Sequence, residues 1–158
     1  MKTIISSIDI NNINKDEIKR QAKLLKEGKT VIFPTETVYG LGANALEEIA
    51  VKKIYEAKGR PSDNPLIVHI YKKEQVYELA KDISDKAEII MDTFWPGPIT
   101  IILNKRNIVP KATSGGLDTV AIRMPSHKIA IEIIKQAGIP IAAPSANISG
   151  RPSPTKAN

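Results

Sequence analysis

The chain has 158 residues, 42% hydrophobic and 25% charged, which suits one domain with a real core. Cysteine is absent and histidine occurs twice, so disulfides, thiol catalysis, thiolate zinc sites and multi-histidine metal centres are excluded. A net charge of +6 permits a polyanionic partner such as a nucleotide or RNA, and no apolar run reaches the length of a membrane-spanning helix.

Thr3 to Ile5 is a candidate first strand, and the polar residues that follow it do not make a secretory signal. With the lack of cysteine, this fits a cytoplasmic protein. Lys15 to Lys26 reads as a helix: Asn14 caps it, Asp16 and Glu17 suit its first turn, and Ile18, Ala22 and Leu25 share a face. Gly28 ends it, and Thr30 to Pro34 reads as a strand. Gly28-Lys29-Thr30 is not a P-loop. The earlier glycine is replaced by Lys23, and the order runs from helix to strand rather than strand to helix.

Pro34 to Asn44 reads as a loop of hydroxyl and glycine residues leaving a strand end, where ligands gather in open α/β sheets. Glu47 to Ala57 reads as a helix and Leu66 to Ile70 as a buried strand. Between them, Gly59 and Pro61 stiffen a turn that carries Lys58 and Arg60. Two readings of this pair stand side by side. The cations hold a phosphate, or they complement the negative end of the helix dipole.

Lys73 to Ala80 and Asp85 to Phe94 read as helices, the second capped by Ser84. Trp95 reads as packing. Ile99 to Leu103 is a strand, and Asn104 to Asp118 a loop that is either a cover over a site or a surface connection. Thr119 to Pro125 is a strand containing Arg123, a cation among small apolar residues that needs a partner. His127 to Ala137 is a helix with His127 on the surface, and Gly138 stops it. Ile139 to Ala143 is a last strand before a second hydroxyl-rich loop, Pro144 to Gly150. The alternation indicates an α/β fold with a mixed or parallel sheet. Glu36 and Asp63 are candidate carboxylates, but no local pattern pairs them. Cations and donors without an evident base suit phosphoryl or adenylyl transfer.

Pro34-Thr35-Glu36-Thr37-Val38-Tyr39-Gly40-Leu41, Lys58-Gly59-Arg60-Pro61, Asn64-Pro65-Leu66, Trp95-Pro96-Gly97-Pro98, Arg123-Met124-Pro125 and Ser145-Ala146-Asn147-Ile148-Ser149-Gly150 together resemble the YrdC-type threonylcarbamoyl-AMP synthases. The resemblance implies a single-domain α/β fold, a YrdC-like twisted mixed sheet flanked by helices. It implies joining of L-threonine, bicarbonate and ATP into threonylcarbamoyl-AMP, with pyrophosphate released. Magnesium would arrive on the ATP, no metal would be held by the protein itself, and downstream threonylcarbamoyl-transferase machinery would modify a tRNA adenosine next to the anticodon. Any direct RNA contact would be weak and salt-sensitive. By the same resemblance, Thr37, His69, Arg123 and Ala143 would line the threonine subsite, Ala143 through its backbone. Arg60, Asn64, Thr119, Ser145 and Ser153 would hold ATP, with Lys58 and Arg60 stabilising charge at the phosphates. Family members carry a further serine and a later arginine, so residues 1–158 are expected to be a YrdC-like domain incomplete at its C-terminus. Two other readings are a carbamoyl-adenylate-forming domain of the hydrogenase-maturation type and a basic RNA-binding module.

Overall fold

Asn14 opens the first helix, α1 (Lys15–Lys26), by accepting the backbone N–H groups of Asp16 and Glu17 with its side chain. This is the start read from the sequence, and the computed structural model, which describes residues 3–156, places it there. The chain continues through β1 (Val31–Pro34), β2 (Tyr39–Asn44), α2 (Glu48–Lys58), β3 (Ile67–His69), α3 (Gln75–Leu79), β4 (Ala80–Lys81), α4 (Asp85–Phe94), β5 (Ile101–Lys105), α5 (Lys111–Ser114), β6 (Thr119–Arg123), α6 (Lys128–Ala137) and β7 (Ile141–Ala142). The strands form one mixed sheet in the order β1-β2-β7-β3-β6-β5-β4. β3 and β6 pair in parallel, and the other neighbouring strands pair antiparallel.

Alternation along the strands divides the core between the two faces. Leu41, Ala43, Val68, Leu103, Val120, Ile122 and Ala142 pack with α2 and α4. Val31, Phe33, Ile141 and Ala143 pack with α1 and α6 on the other side. These last two helices cover only the β1-β2-β7 half of their face. Over β3, β6 and β5 the face stays open: Ile67, Thr119 and Ala121 are half-buried and Ile102 is 68% exposed. Arg123 and His69 stand at the border between the covered and open halves.

Several expectations change. Thr3 to Ile5 pairs with no strand, and Ile4 and Ile5 are exposed. Most of the expected loop from Pro34 to Asn44 is β2, so only Thr35 to Val38 turns. Gly42 serves packing. A Cβ on Gly42 would meet Phe33 Cε1 at 2.5 Å and Ile141 Cγ2 at 2.8 Å. The helix expected from Lys73 to Ala80 shortens to α3, because Ala80 and Lys81 pair with β5 and Arg106 takes the carbonyls of Tyr77 and Ala80 at 2.8 and 2.9 Å. The 104–118 connection contains α5 and is tied down. Thr113 Oγ1 donates to the Ala45 carbonyl at 2.7 Å, and the Thr113 carbonyl receives Leu66 N–H. Tyr55 Oη lies within hydrogen-bond distance of the Asn64 and Ala112 carbonyls, its one proton shared between them, so the same connection walls the turn that carries Arg60.

Candidate active site

The tip of the β1–β2 hairpin is held by Thr35, whose hydroxyl donates to the Val38 carbonyl at 2.7 Å. That turn leaves Thr37 exposed and brings its hydroxyl within 3.4 Å of Arg123 Nη2. Arg123 is 8% exposed and ends β6, beside His69 at the end of β3 in parallel register. His69 packs edge-on to Phe33, with Nδ1 3.2 Å from the Ile67 carbonyl. Complete burial, helped by the nearby Arg123 charge, pulls its pKa down to about 4, so the ring is neutral near pH 7. Ala143 is buried against Gly40, and its N–H donates to Ile67. The structure therefore brings Thr37, His69 and Arg123 together, with Ala143 beside them on the neighbouring strand end.

The partner that Arg123 requires is Glu36, 2.6 Å away. The sequence left this carboxylate unpaired, and the contact joins residues from the hairpin tip and from β6. The approach is that of an ion pair without hydrogen-bond geometry, so both Glu36 oxygens and Arg123 Nε lack a hydrogen-bond partner. Burial opposes the Glu36 charge. The Arg123 guanidinium and the nearby backbone N–H groups of Glu36 and Ser126 outweigh it and hold the carboxyl below its usual range. His127, expected on the surface, is half-buried as the residue capping α6, with Nδ1 shut away from solvent. Burial lowers its pKa, and Glu36 opposes that shift.

A second group forms around the turn after α2. Gly59 adopts the left-handed conformation (φ 57°) that ends the helix, and Arg60 N–H returns to the Tyr55 carbonyl. A lysine that only complements the helix dipole would keep its ammonium in solvent, and Lys58 does not. It is instead 2% exposed, because its ammonium reaches the Ser145 carbonyl at 2.5 Å and also the Asn147 carbonyl. Burial, and after it the charge of Arg60, lowers its pKa. Ser145 Oγ and Ser153 Oγ both reach Asn147 Oδ1, a hub that sequence reasoning did not single out. Lys58, Ser145 and Ser153 are thus one network. Arg60 is only half-buried, and it donates to the Asn64 and Pro65 carbonyls at 3.3 and 3.1 Å. Asn64 is exposed in the same turn, while Thr119 lies on the open face two alternations from Arg123. Of two surface depressions of about 290 and 340 Å³, the first lies away from these residues around Asp82 and Asp118, and the second lies around Tyr55 and Ser62 beside the turn that carries Arg60. The candidate site is an open sheet face, not an enclosed cavity. Among the described residues, no three His, Cys, Asp or Glu side chains are grouped to hold a metal ion. No helix there is long and apolar enough to cross a membrane.

Residues 23–158 match the family Sua5_yciO_yrdC, described as telomere recombination. The chain belongs to the Sua5/YciO/YrdC family. It is 58% identical to the threonylcarbamoyl-AMP synthase of Pyrococcus abyssi over 99% of its length and 46% of that relative's. It is 54% identical to the threonylcarbamoyl-AMP synthase of Bacillus subtilis, again over 99% of this chain and 46% of the relative. The chain therefore spans about half the length of these curated relatives. Its fold superposes on a crystal structure of P. abyssi Sua5 complexed with L-threonine with a TM-score of 0.95, at 58% identity, covering 98% of this chain and 45% of the other. Within the family fold, E. coli YciO is a more distant likeness, with a TM-score of 0.79 at 21% identity, over 89% of this chain and 68% of the other.

Proposed function

We propose that this chain makes threonylcarbamoyl-AMP from L-threonine, bicarbonate and ATP. The carrying observation is the Thr37–His69–Arg123 cluster, in a fold that superposes on a relative solved with L-threonine. The chemistry of the cluster supports the reading. A guanidinium at a strand end suits a carboxylate, a hydroxyl beside it suits a polar side chain, and a neutral imidazole adds no second charge.

Threonine's amine takes up carbon dioxide, supplied by bicarbonate, as a carbamate. A carbamate oxygen attacks the α-phosphorus of ATP, the bond to the bridging oxygen breaks, and pyrophosphate leaves. Arg60, Asn64, Thr119, Ser145 and Ser153 hold the nucleotide in this reading. Arg60 keeps donors beyond those spent on its own turn, and Lys58 has one N–H left of three for a phosphate oxygen. The donors here are cations and hydroxyls rather than carboxylates, which fits magnesium arriving on the ATP as part of the substrate. The product would pass to the machinery that modifies tRNA adenosine.

Pyrophosphate release from ATP is expected only with threonine and bicarbonate both present, measured by a coupled phosphate assay. Equal release without threonine refutes the reading. A carbamoyl-adenylate-forming activity has one observation in its favour: a HypF crystal structure, 29% identical, matches 87% of this chain with a TM-score of 0.76 over 21% of its own length. Release that depends on carbamoyl phosphate instead of threonine and bicarbonate would select it.

The Arg60 assignment has its own test. Arg60→Lys keeps the charge and its interaction with the helix dipole but loses the planar fork of donors. ATP affinity is expected to fall about tenfold or more with the melting temperature little changed. Unchanged affinity, read by isothermal titration, would remove Arg60 from the site.

A further inference from the structure

Among the described residues, four of the five buried side-chain polar atoms without a hydrogen-bond partner lie together: both Glu36 carboxylate oxygens, Arg123 Nε and His127 Nδ1. Native structures rarely leave such groups unmet, and a purely structural staple would be expected to satisfy them. Here Glu36 sits 2.6 Å from the guanidinium and close to the backbone N–H groups of Glu36 and Ser126, yet neither oxygen makes a well-aligned hydrogen bond. The place is also special. Glu36 is adjacent to Thr37, and Arg123 Nη2 faces both residues.

We propose that Glu36 is a specificity-determining residue, which makes the Arg123 subsite prefer a zwitterionic α-amino acid over a simple carboxylate. The inference rests on the threonine reading above and adds a residue to it. An isolated, nearly buried arginine would welcome any small carboxylate. Glu36 cancels most of that attraction. Its oxygens are closed off from water, so its field is weakly screened and reaches a ligand without direct contact. An acid that brings only negative charge gains little from the balanced pair. An amino acid brings a positive ammonium next to its carboxylate, so Glu36 attracts one end while Arg123 takes the other. His69, buried and neutral, does not upset this balance, and His127, at the start of α6, is likewise shifted toward its neutral form. Discrimination of this kind works by penalising the wrong ligand as well as favouring the right one.

The test compares L-threonine with 3-hydroxybutanoate, which keeps the carboxylate and the hydroxyl but lacks the amine. Both are titrated calorimetrically into the full chain, unmodified and as Glu36→Gln. The preference for threonine is expected to shrink about tenfold or more in the variant, a change of roughly 1.4 kcal/mol, with 3-hydroxybutanoate binding more tightly than before. A ratio that stays the same overturns the proposal, whether both affinities fall together or neither moves. Glu36→Asp keeps the charge and guards against a misfolded glutamine variant. It is expected to retain the wild-type ratio within about threefold, and loss of the ratio in a folded Glu36→Asp protein overturns the proposal too. If the unmodified chain binds ATP but not threonine, the substrate reading fails first and takes this inference with it.

Discussion

Lys58→Met is expected to cost about 2–6 kcal/mol of stability and to free the loop that follows β7. The methionine keeps the apolar stem but removes the donors that the Ser145 and Asn147 carbonyls use. Each acceptor left unmet away from water costs about 1–3 kcal/mol. A lysine that only complemented the dipole of α2 would cost about 0.3–1 kcal/mol, so the two readings of this cation separate by size. Urea unfolding gives the number, and amide exchange at Ser149, whose N–H donates to the Lys58 carbonyl, reports the loop. A loss under about 1 kcal/mol with unchanged exchange would mean that other contacts hold the loop. Nucleotide affinity should fall in the same variant, because Ser145 and Ser153 meet at Asn147, which Lys58 anchors.

Acidification is expected to weaken the protein through His69 before most carboxylates begin to protonate. The folded pKa of about 4 lies below the usual value of 6.5, because burial resists charging the ring. The unfolded chain therefore takes up this proton first. The contribution is fully present above about pH 6.5 and is lost as pH falls toward 4, amounting to roughly 3 kcal/mol over that window. The lowered Glu36 carboxyl acts in the same direction, but below its usual range of about 4.5. Comparing denaturation of the native chain and His69→Asn between pH 7 and pH 4 isolates the imidazole. The difference in stability should narrow by roughly 3 kcal/mol toward pH 4. Parallel curves would show that His69 is not held neutral.

Much of the framework was legible locally. α1 and α4 run between the residues expected, because Asn14 and Ser84 announce their starts and act as side-chain caps. Gly59 and Gly138 mark helix ends and adopt the left-handed conformation that makes them suitable. The strand β2 was misread because glycine usually signals a loop. At Gly42 it instead answers Phe33 and Ile141, which lie on other strands. The site shows the same division. Arg123 announced its need for an anion, but Glu36 lies far back along the chain and no local spacing joins the two. Lys58 was harder still. Its partners are backbone carbonyls more than eighty residues away, and a carbonyl has no letter in the sequence.

The one parallel pairing of the sheet sets His69 directly beside Arg123, while Val68 and Ile122 point into the apolar layer under α2 and α4. Side chains alternate along each strand, so a slip of one residue would exchange these roles. A guanidinium would then enter hydrocarbon without its carboxylate, and two aliphatic side chains would face water. The penalty for an unpaired buried charge is several kcal/mol, large against the total stability of a domain this size. The polar residues at these strand ends thus discriminate against the wrong register. The alignment that buries the aliphatic side chains is therefore also the one that assembles the site, and a slipped sheet is disfavoured by the charge it would bury.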